Sequence, residues 1–407
     1  MAKAQQLCQL LYCLCVSDLL MGVFAGAPCD TRESLDMKRL GALFILTLLV
    51  LLFPGSPDKT DLEDMSIGLI IGIDLDANDE LEFYYSAPVF NKEARIKTEK
   101  FETTQSSLRA SRIKIDTKTS SLVAGGKFQI CLLGSRLLEH EDWFTLFDVF
   151  YRDSKFAAST KIVAVDGPVS EVMNTVTKDK PPLPQFLTKL IETADRRNIT
   201  VKTTLQQLHR QMFEKGLTPA IAYIDKKNHI EVIGSALLSE RGKLMKSLDP
   251  EENKLLRVLQ RRNKKEIAFI VDIPGEDEKG VIDTGKLSIL PDSIKTDIKC
   301  SFDGGKFRFD IKVSLVGALS ERLFAFENRR RGEELDRKIG EQLQKQLEIL
   351  LDKFKKSGID PVGFGLYARA YQYEAWKQVQ DDWGKAFAEA ETEVSVTVKT
   401  RNMGSVK

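Results

Sequence analysis

GEELDRKIGEQLQKQLEILLDKFKK, residues 332–356, repeats apolar side chains three and four positions apart. Leu335, Ile339, Leu343, Leu347, Leu350 and Phe354 share one stripe, and most other positions are charged or amide-bearing. Glu333 and Glu334 stand where a helix N-terminus favours negative charge, and Lys353, Lys355 and Lys356 stand where its C-terminus favours positive charge. Glu334–Lys338 and Glu341–Lys345 are favourable pairs four apart, and Gly358 supplies a stop. The spacing predicts one long helix over about 332–356. A helix with a single apolar stripe must lie on another layer. The preceding residues offer one. Glu266–Asp272, Leu287–Leu290, Ser293–Phe302 and Lys306–Val316 are strand-like, and Asp303-Gly304-Gly305 is a hairpin turn. After the helix come a turn (Gly358–Phe364), two aromatic-rich helical stretches (Leu366–Gln378, Asp381–Phe387) and an alternating strand, Glu393–Lys399. The fold class is α+β or mixed α/β, with antiparallel-rich sheets packed against helices.

Working toward the N-terminus, Asp249-Pro250-Glu251-Glu252 is a helix start: an Asp N-cap, Pro at the first position and acids in the first turn. That helix ends in Arg257, Arg261, Arg262, Lys264 and Lys265, read as a solvated basic end. Ala220–Asp225 and His229–Ala236 form a hairpin, and helices are expected over Gln185–Arg197 and from Thr204, the latter closed by Gly216 as its C′ residue. Pro181-Pro182-Leu183-Pro184 reads as a stiff connection. Before it, Lys161–Val165 and Lys127–Leu133 are strands, the latter entered through a hairpin turn at Gly125-Gly126. Trp143, Phe147, Phe150 and Tyr151 form a core-facing helical stripe, Gln105–Ile115 a helix, and Ser66–Leu75 with Leu81–Ala87 a hairpin. The expected organisation is an N-terminal extension over 1–36, a signal peptide or anchor over 37–56, and three domains over 57–182, 183–275 and 276–407.

The leader differs from everything after it. LGALFILTLLVLLF (Leu40–Phe53) follows Met37-Lys38-Arg39 and precedes Pro54-Gly55-Ser56-Pro57, the order of a secretory signal. As a helix it reaches roughly 21 Å, short of a comfortable membrane span. Residues Met1–Asp36 are read as a non-native extension before a natural start at Met37. The competing reading makes Leu10–Gly26 a membrane segment.

Composition excludes several classes. Lys+Arg total 60 against 59 Asp+Glu, a net charge of +1 over 407 residues, which argues against a nucleic-acid binder. His140, His209 and His229 are scattered, and neither CxxC nor HExxH spacing occurs, so no metal site or cofactor is expected. Asp74-Leu75-Asp76-Ala77-Asn78 begins like a calcium loop, but the sixth position is Asp79 and the twelfth Tyr85. Cys131 and Cys300 follow the leader and are expected as free thiols. No G-x-S-x-G elbow or Ser-His-acid grouping occurs, Gly234-Ser235 lies inside a strand, and no catalytic residue is assigned.

In order and spacing, several segments resemble the Ger(x)C spore germination proteins, the C subunits of germinant receptors in endospore-forming bacteria. They are Asp58–Asp64 leading into GLIIGID (Gly68–Asp74), Phe144–Asp153 ending in Tyr-Arg-Asp, and IEVIGSALL (Ile230–Leu238). LDPEE (Leu248–Glu252), FRFDIKVSLVGALSE (Phe307–Glu321), the long helix, and DPVGFG (Asp360–Gly365) with Trp376 and Trp383 complete the set. The resemblance implies a three-domain α/β architecture and no enzymatic activity. It also implies an exported lipoprotein on the outer face of the inner spore membrane, working with polytopic A and transporter-like B membrane subunits. One position departs. The family's signal ends in Gly-Cys-Trp-Asp with a lipidated Cys, whereas this chain has Gly55-Ser56-Pro57-Asp58, and a Ser56 hydroxyl cannot form the thioether. Lipidation is therefore not expected, and an uncleaved anchor or retention by partners takes its place. The alternative function is an extracellular small-molecule-binding protein feeding a transporter, with the Tyr367–Phe387 aromatics as its candidate lining.

Overall fold

The structure, a computed structural model, describes residues 41–47, 65–89, 93–95, 97–119, 122–153, 156–176, 180–264, 266–273, 285–322 and 328–402. The chain divides into two compact units, Met1–Asp61 and Leu62–Lys407. In the first, residues 41–47 are helical with exposed side chains. The rest of Leu40–Phe53, the 1–36 extension and Ser56 lie outside the described residues. Among those described, no helix is long and apolar enough to cross a membrane.

The second unit contains β1 (Met65–Ile67), β2 (Ile70–Leu75), β3 (Leu81–Pro88), β4 (Thr98–Thr104), β5 (Leu122–Ala124), β6 (Ile130–Leu133), β7 (Lys161–Asp166) and β8 (Thr203–Thr204). There follow β9 (Ala220–Asp225), β10 (Glu231–Leu238), β11 (Leu244–Leu248), β12 (Phe269–Asp272), β13 (Lys286–Asp303), β14 (Lys306–Arg322) and β15 (Glu391–Asn402). A nine-stranded sheet runs β11-β10-β9-β7-β6-β2-β3-β4, with β8 beside β7. It takes strands from both sides of Pro182. Its central strands are buried on both faces, and the two-residue period shows which side chain goes where. Ile71, Ile73, Cys131, Leu133, Ile162 and Ala164 enter one core cluster, with Trp143, Phe147 and Phe150. Ile70, Ile130, Leu132, Val163 and Val165 enter the opposite one, under Leu183, Leu187 and Ile191 of the Leu183–Arg196 helix.

A four-stranded sheet, β12-β13-β14-β15, carries the long helix, which runs Asn328–Lys356. All six predicted stripe residues are buried on this sheet, with Phe309, Ile311, Val313, Val394 and Val398 in the same core. The β13–β14 hairpin turns at Gly304 and Gly305, with φ of 57° and 80°, which an Asp-Gly-Gly turn adopts without Cβ strain. The last strand is parallel to β14, because the long helix and the helices after it carry the chain back across the sheet before β15 begins.

Some local expectations change. The stretch read as one strand over Ser66–Leu75 breaks at Gly68, where a Cβ would sit 2.5 Å from the Phe128 ring; β1 pairs with β5, and β2 enters the large sheet. Gly125–Lys127 is a 3₁₀ turn between strands of different sheets, not a hairpin turn. Trp143–Phe147 is also 3₁₀, followed by a short α-helix at Asp148–Arg152. The helix capped by Thr204 ends at Phe213, and Gly216 does not cap it.

Candidate functional site

Asp360, inside DPVGFG, is wholly buried. Its Oδ1 accepts the Gly363 N–H at 2.8 Å, and its Oδ2 accepts the Gly365 N–H and the Trp383 Nε1–H, both at 2.9 Å. Burial raises its pKa, against these three donors, which favour the carboxylate. The Asp360 carbonyl accepts the Thr218 N–H at 2.9 Å, and the Pro361 carbonyl accepts Gln260 Nε2–H at 2.7 Å. Gly363 turns the chain with φ of 92°. Gly365 faces Gly216 so closely that a Cβ on it would lie 2.5 Å from the Gly216 Cα, and one on Gly216 would lie 2.7 Å from the Gly365 carbonyl carbon. Gly216 is therefore a point of backbone contact, which explains its glycine better than a helix stop. Lys353 reinforces the same seam, donating to both Glu252 carboxylate oxygens at 2.7–2.8 Å and to the Ser247 carbonyl at 2.8 Å.

The other resemblance residues also have structural partners. In GLIIGID, burial raises the Asp74 pKa while the Leu75 and Val169 N–H groups, each 2.9 Å away, stabilise its charge. In IEVIGSALL, Gly234 occupies a bulge at φ 139°, where a Cβ would meet the Leu248 carbonyl oxygen. Ser235 Oγ donates to Asn253 Oδ1 at 2.7 Å and accepts the Val201 N–H at 3.0 Å, so its hydroxyl is engaged without any histidine. Asp249 and Glu252 form a reciprocal capping box. In the Tyr-Arg-Asp triplet, Tyr151 donates to the Leu205 carbonyl at 3.1 Å and Arg152 pairs with Asp148 at 2.7 Å.

The remaining sequence candidates stay apart. His140 and His229 are exposed, and exposed His209 packs against Tyr151 and Phe213 with ring centroids 4.4 and 4.7 Å away. No group of three metal-capable side chains occurs among the described residues. Cys131 and Cys300 are free; Cys131 is buried and Cys300 half-buried, with burial pushing the latter thiol up to about 12. Within Tyr367–Phe387, Trp376, Trp383 and Phe387 are core residues, whereas Tyr371 is exposed.

One feature went unseen in the sequence. Arg257, assigned there to a solvated basic end, is only 7% exposed, and its Nη2 donates to the equally buried Asp195. Both lie on a polar cavity of about 490 Å³ bounded also by Lys202, Gln211, Gln260, Arg262 and Lys264. For Asp195 the available signal was spacing, four residues after the apolar Ile191; Arg257 offered none, because its neighbours three and four positions away are Asn253, Lys254, Gln260 and Arg261.

The geometry defines an α+β protein built on one nine-stranded and one four-stranded sheet, with a small β1–β5 pair beside them, and the segments that carry the resemblance hold turns, caps and close backbone contacts. A family model described as "Spore germination protein N-terminal domain" matches residues 58–226, and one described as "Spore germination B3/ GerAC like, C-terminal" matches 233–404. Two Bacillus subtilis (strain 168) relatives match. Spore germination protein B3 is 21% identical over 91% of this chain and 100% of its own length, and spore germination protein KC is 22% identical over 86% and 91%. The crystal structure of the GerBC protein shares the fold, with a TM-score of 0.55 and 17% identity over 82% of this chain and 97% of that one. The chain belongs to the Ger(x)C family of spore germination proteins, and its role is germination-related.

Proposed function

We propose that this chain is the non-catalytic C subunit of a spore germinant receptor, exported and held at the outer face of the inner spore membrane beside an A and a B membrane subunit. The observation that carries the reading is where the shared residues go. Asp74, Ser235, Asp249, Asp360 and Trp383 have their polar atoms committed to backbone or core partners. None is paired with a histidine or a second carboxylate as nucleophilic or acid–base chemistry requires. Such a body acts by contact. Ser56 leaves no acceptor for a lipid thioether, so the chain is retained by an uncleaved Leu40–Phe53 anchor or by its partners.

The test has two arms. Deleting the gene should leave vegetative growth normal and abolish one nutrient germination response, and the native protein recovered from spore membranes should bring the two membrane subunits with it. Normal germination in every nutrient, or recovery from the cytosol without partners, would overturn the proposal.

A further inference from the structure

The Asp195–Arg257 cavity has an imbalance of charge that the protein itself does not resolve. Four cationic side chains, Lys202, Arg257, Arg262 and Lys264, stand on it against one carboxylate, Asp195. That carboxylate is already engaged by Arg257 Nη2 and, at 3.8 Å, by Lys264. Lys202 and Arg262 form no ion pair among the described residues.

The buried part of the wall carries a second, independent sign. Arg257 is more than nine-tenths buried, yet its Nε–H has no hydrogen-bond partner. Buried guanidinium donors are normally satisfied, since an unmet one forfeits its hydration without return. Gln211 Oε1, from the Leu205–Phe213 helix, and Gln260 Oε1, from the C-cap of the helix that carries Arg257, are also buried and unpartnered, and both residues line the same cavity. Gln260 cannot simply turn over, because its Nε2–H donates to Pro361 at 2.7 Å. The residues lining the cavity thus carry one buried donor and two buried acceptors that no protein group meets. A protonated oxyanion brings both in one molecule: oxygens for the guanidinium and ammonium groups, and an O–H for an amide oxygen. At about 490 Å³ the cavity is within the range of small-ligand sites, with room for more than a bare ion. Its lining includes only Val201 and Ala220 as apolar residues, which disfavours an acyl chain.

We propose that this cavity is a binding site for a small water-soluble phosphate-type oxyanion, inorganic phosphate or a phosphate monoester, held by Arg257, Arg262 and Lys202 at the seam between the two sheets. Asp195 orients Arg257 rather than contacting the anion. The site lies beside Gln260, which touches the Asp360 turn through Pro361, so occupancy would stiffen the seam.

The experiment uses the full chain, purified in mild detergent, with inorganic phosphate as the probe. Thermal unfolding is followed as phosphate replaces chloride at constant ionic strength, and the phosphorus NMR line width is read in parallel. The unfolding midpoint should rise and saturate with phosphate, and the phosphate line should broaden. The Lys202→Gln/Arg262→Gln double variant alters side chains without ion-pair partners and relieves repulsion within the cationic cluster, so its phosphate-free midpoint should be no lower than the parent's. Its phosphate affinity should fall roughly tenfold or more, as loss of charge-assisted hydrogen bonds requires. No phosphate effect on the parent, or an equal effect on the double variant, would overturn the proposal.

Discussion

Asp360→Asn tests the Asp360 turn with the smallest change of shape. The carboxylate takes three N–H donors: one on Oδ1 from Gly363, and two on Oδ2 from Gly365 and Trp383. An asparagine supplies only one oxygen. In its better orientation that oxygen keeps Gly365 and Trp383, and its NH₂ then faces the Gly363 N–H, donor to donor. Losing one hydrogen bond to a charged acceptor removes about 1.5–3 kcal/mol, and leaving a buried N–H unmet adds about 1–3 kcal/mol. Removing a buried charge works the other way, in the sense that burial raises the Asp360 pKa. The net expectation is about 2–4 kcal/mol of destabilisation. Trp383→Phe removes one donor and keeps the ring in place, so it should lose about 1–2 kcal/mol. Because Asp360→Asn weakens the Trp383–Asp360 bond by taking away its charge and Trp383→Phe removes that same bond, the double variant should lose less than the sum. Urea unfolding by far-ultraviolet circular dichroism, which does not depend on Trp383 as a reporter, measures all three. An Asp360→Asn protein within about 0.5 kcal/mol of the parent, or strictly additive losses, would refute the assignment of this turn as a charged clamp.

Gly216→Ala and Gly365→Ala should each lower stability by about 1–3 kcal/mol or more, since the obstructing atoms are backbone that cannot rotate away; the urea midpoint reports it. Arg257→Ala strands the buried Asp195 and should cost about 3–5 kcal/mol, while Asp195→Leu/Arg257→Met together should recover much of that loss in the same assay. In a chain begun at Met37, thiol titration near neutral pH should find Cys131 unreactive until denaturant is added, because burial holds it in the protonated form.

The sheets and the long helix were legible because hydrophobic period is a direct imprint of burial. Leu335 to Phe354 could lie only on a sheet, and alternation in Lys306–Val316 and Glu393–Lys399 marked strands with one face inward. The partner of a strand is less legible. Alternation says nothing of direction, so the parallel β14–β15 pairing came from the length of helix between them. The sequence offers Gly216 only a local reason to be glycine, a helix stop that the structure does not use; the reason it does use, the Gly365 backbone, is distant in the chain. Arg257 was misread because a basic residue in the last turn of a helix complements the dipole wherever it points. The i+4 relation of Asp195 to Ile191 marked one charge of the pair as lying on a buried face, whereas the burial of Arg257 beside Asn253 shows only in the structure.

The two halves of the family pattern meet between residues 226 and 233, yet the molecule does not divide there. That interval is the tip of the β9–β10 hairpin, and both strands belong to the nine-stranded sheet. The C-terminal half therefore contributes β10 and β11 to the sheet of the N-terminal half. In return Val201 and Ala220 pack in the same core cluster as Leu347 and Trp383. A fragment ending before β10 would leave β9, whose six residues are all buried, as a bare apolar edge, a template for aggregation. Its partner fragment would lose the Thr218 donor to the Asp360 carbonyl and the Gly216 contact at Gly365. Separate expression of 58–229 and 230–404 should thus yield insoluble or non-cooperative material, while co-expression should restore a soluble complex. Two soluble fragments that each unfold cooperatively would show that the seam is dispensable. Otherwise stability is shared across the seam, and any contact that loosens or tightens the Asp360 turn is felt by both sheets.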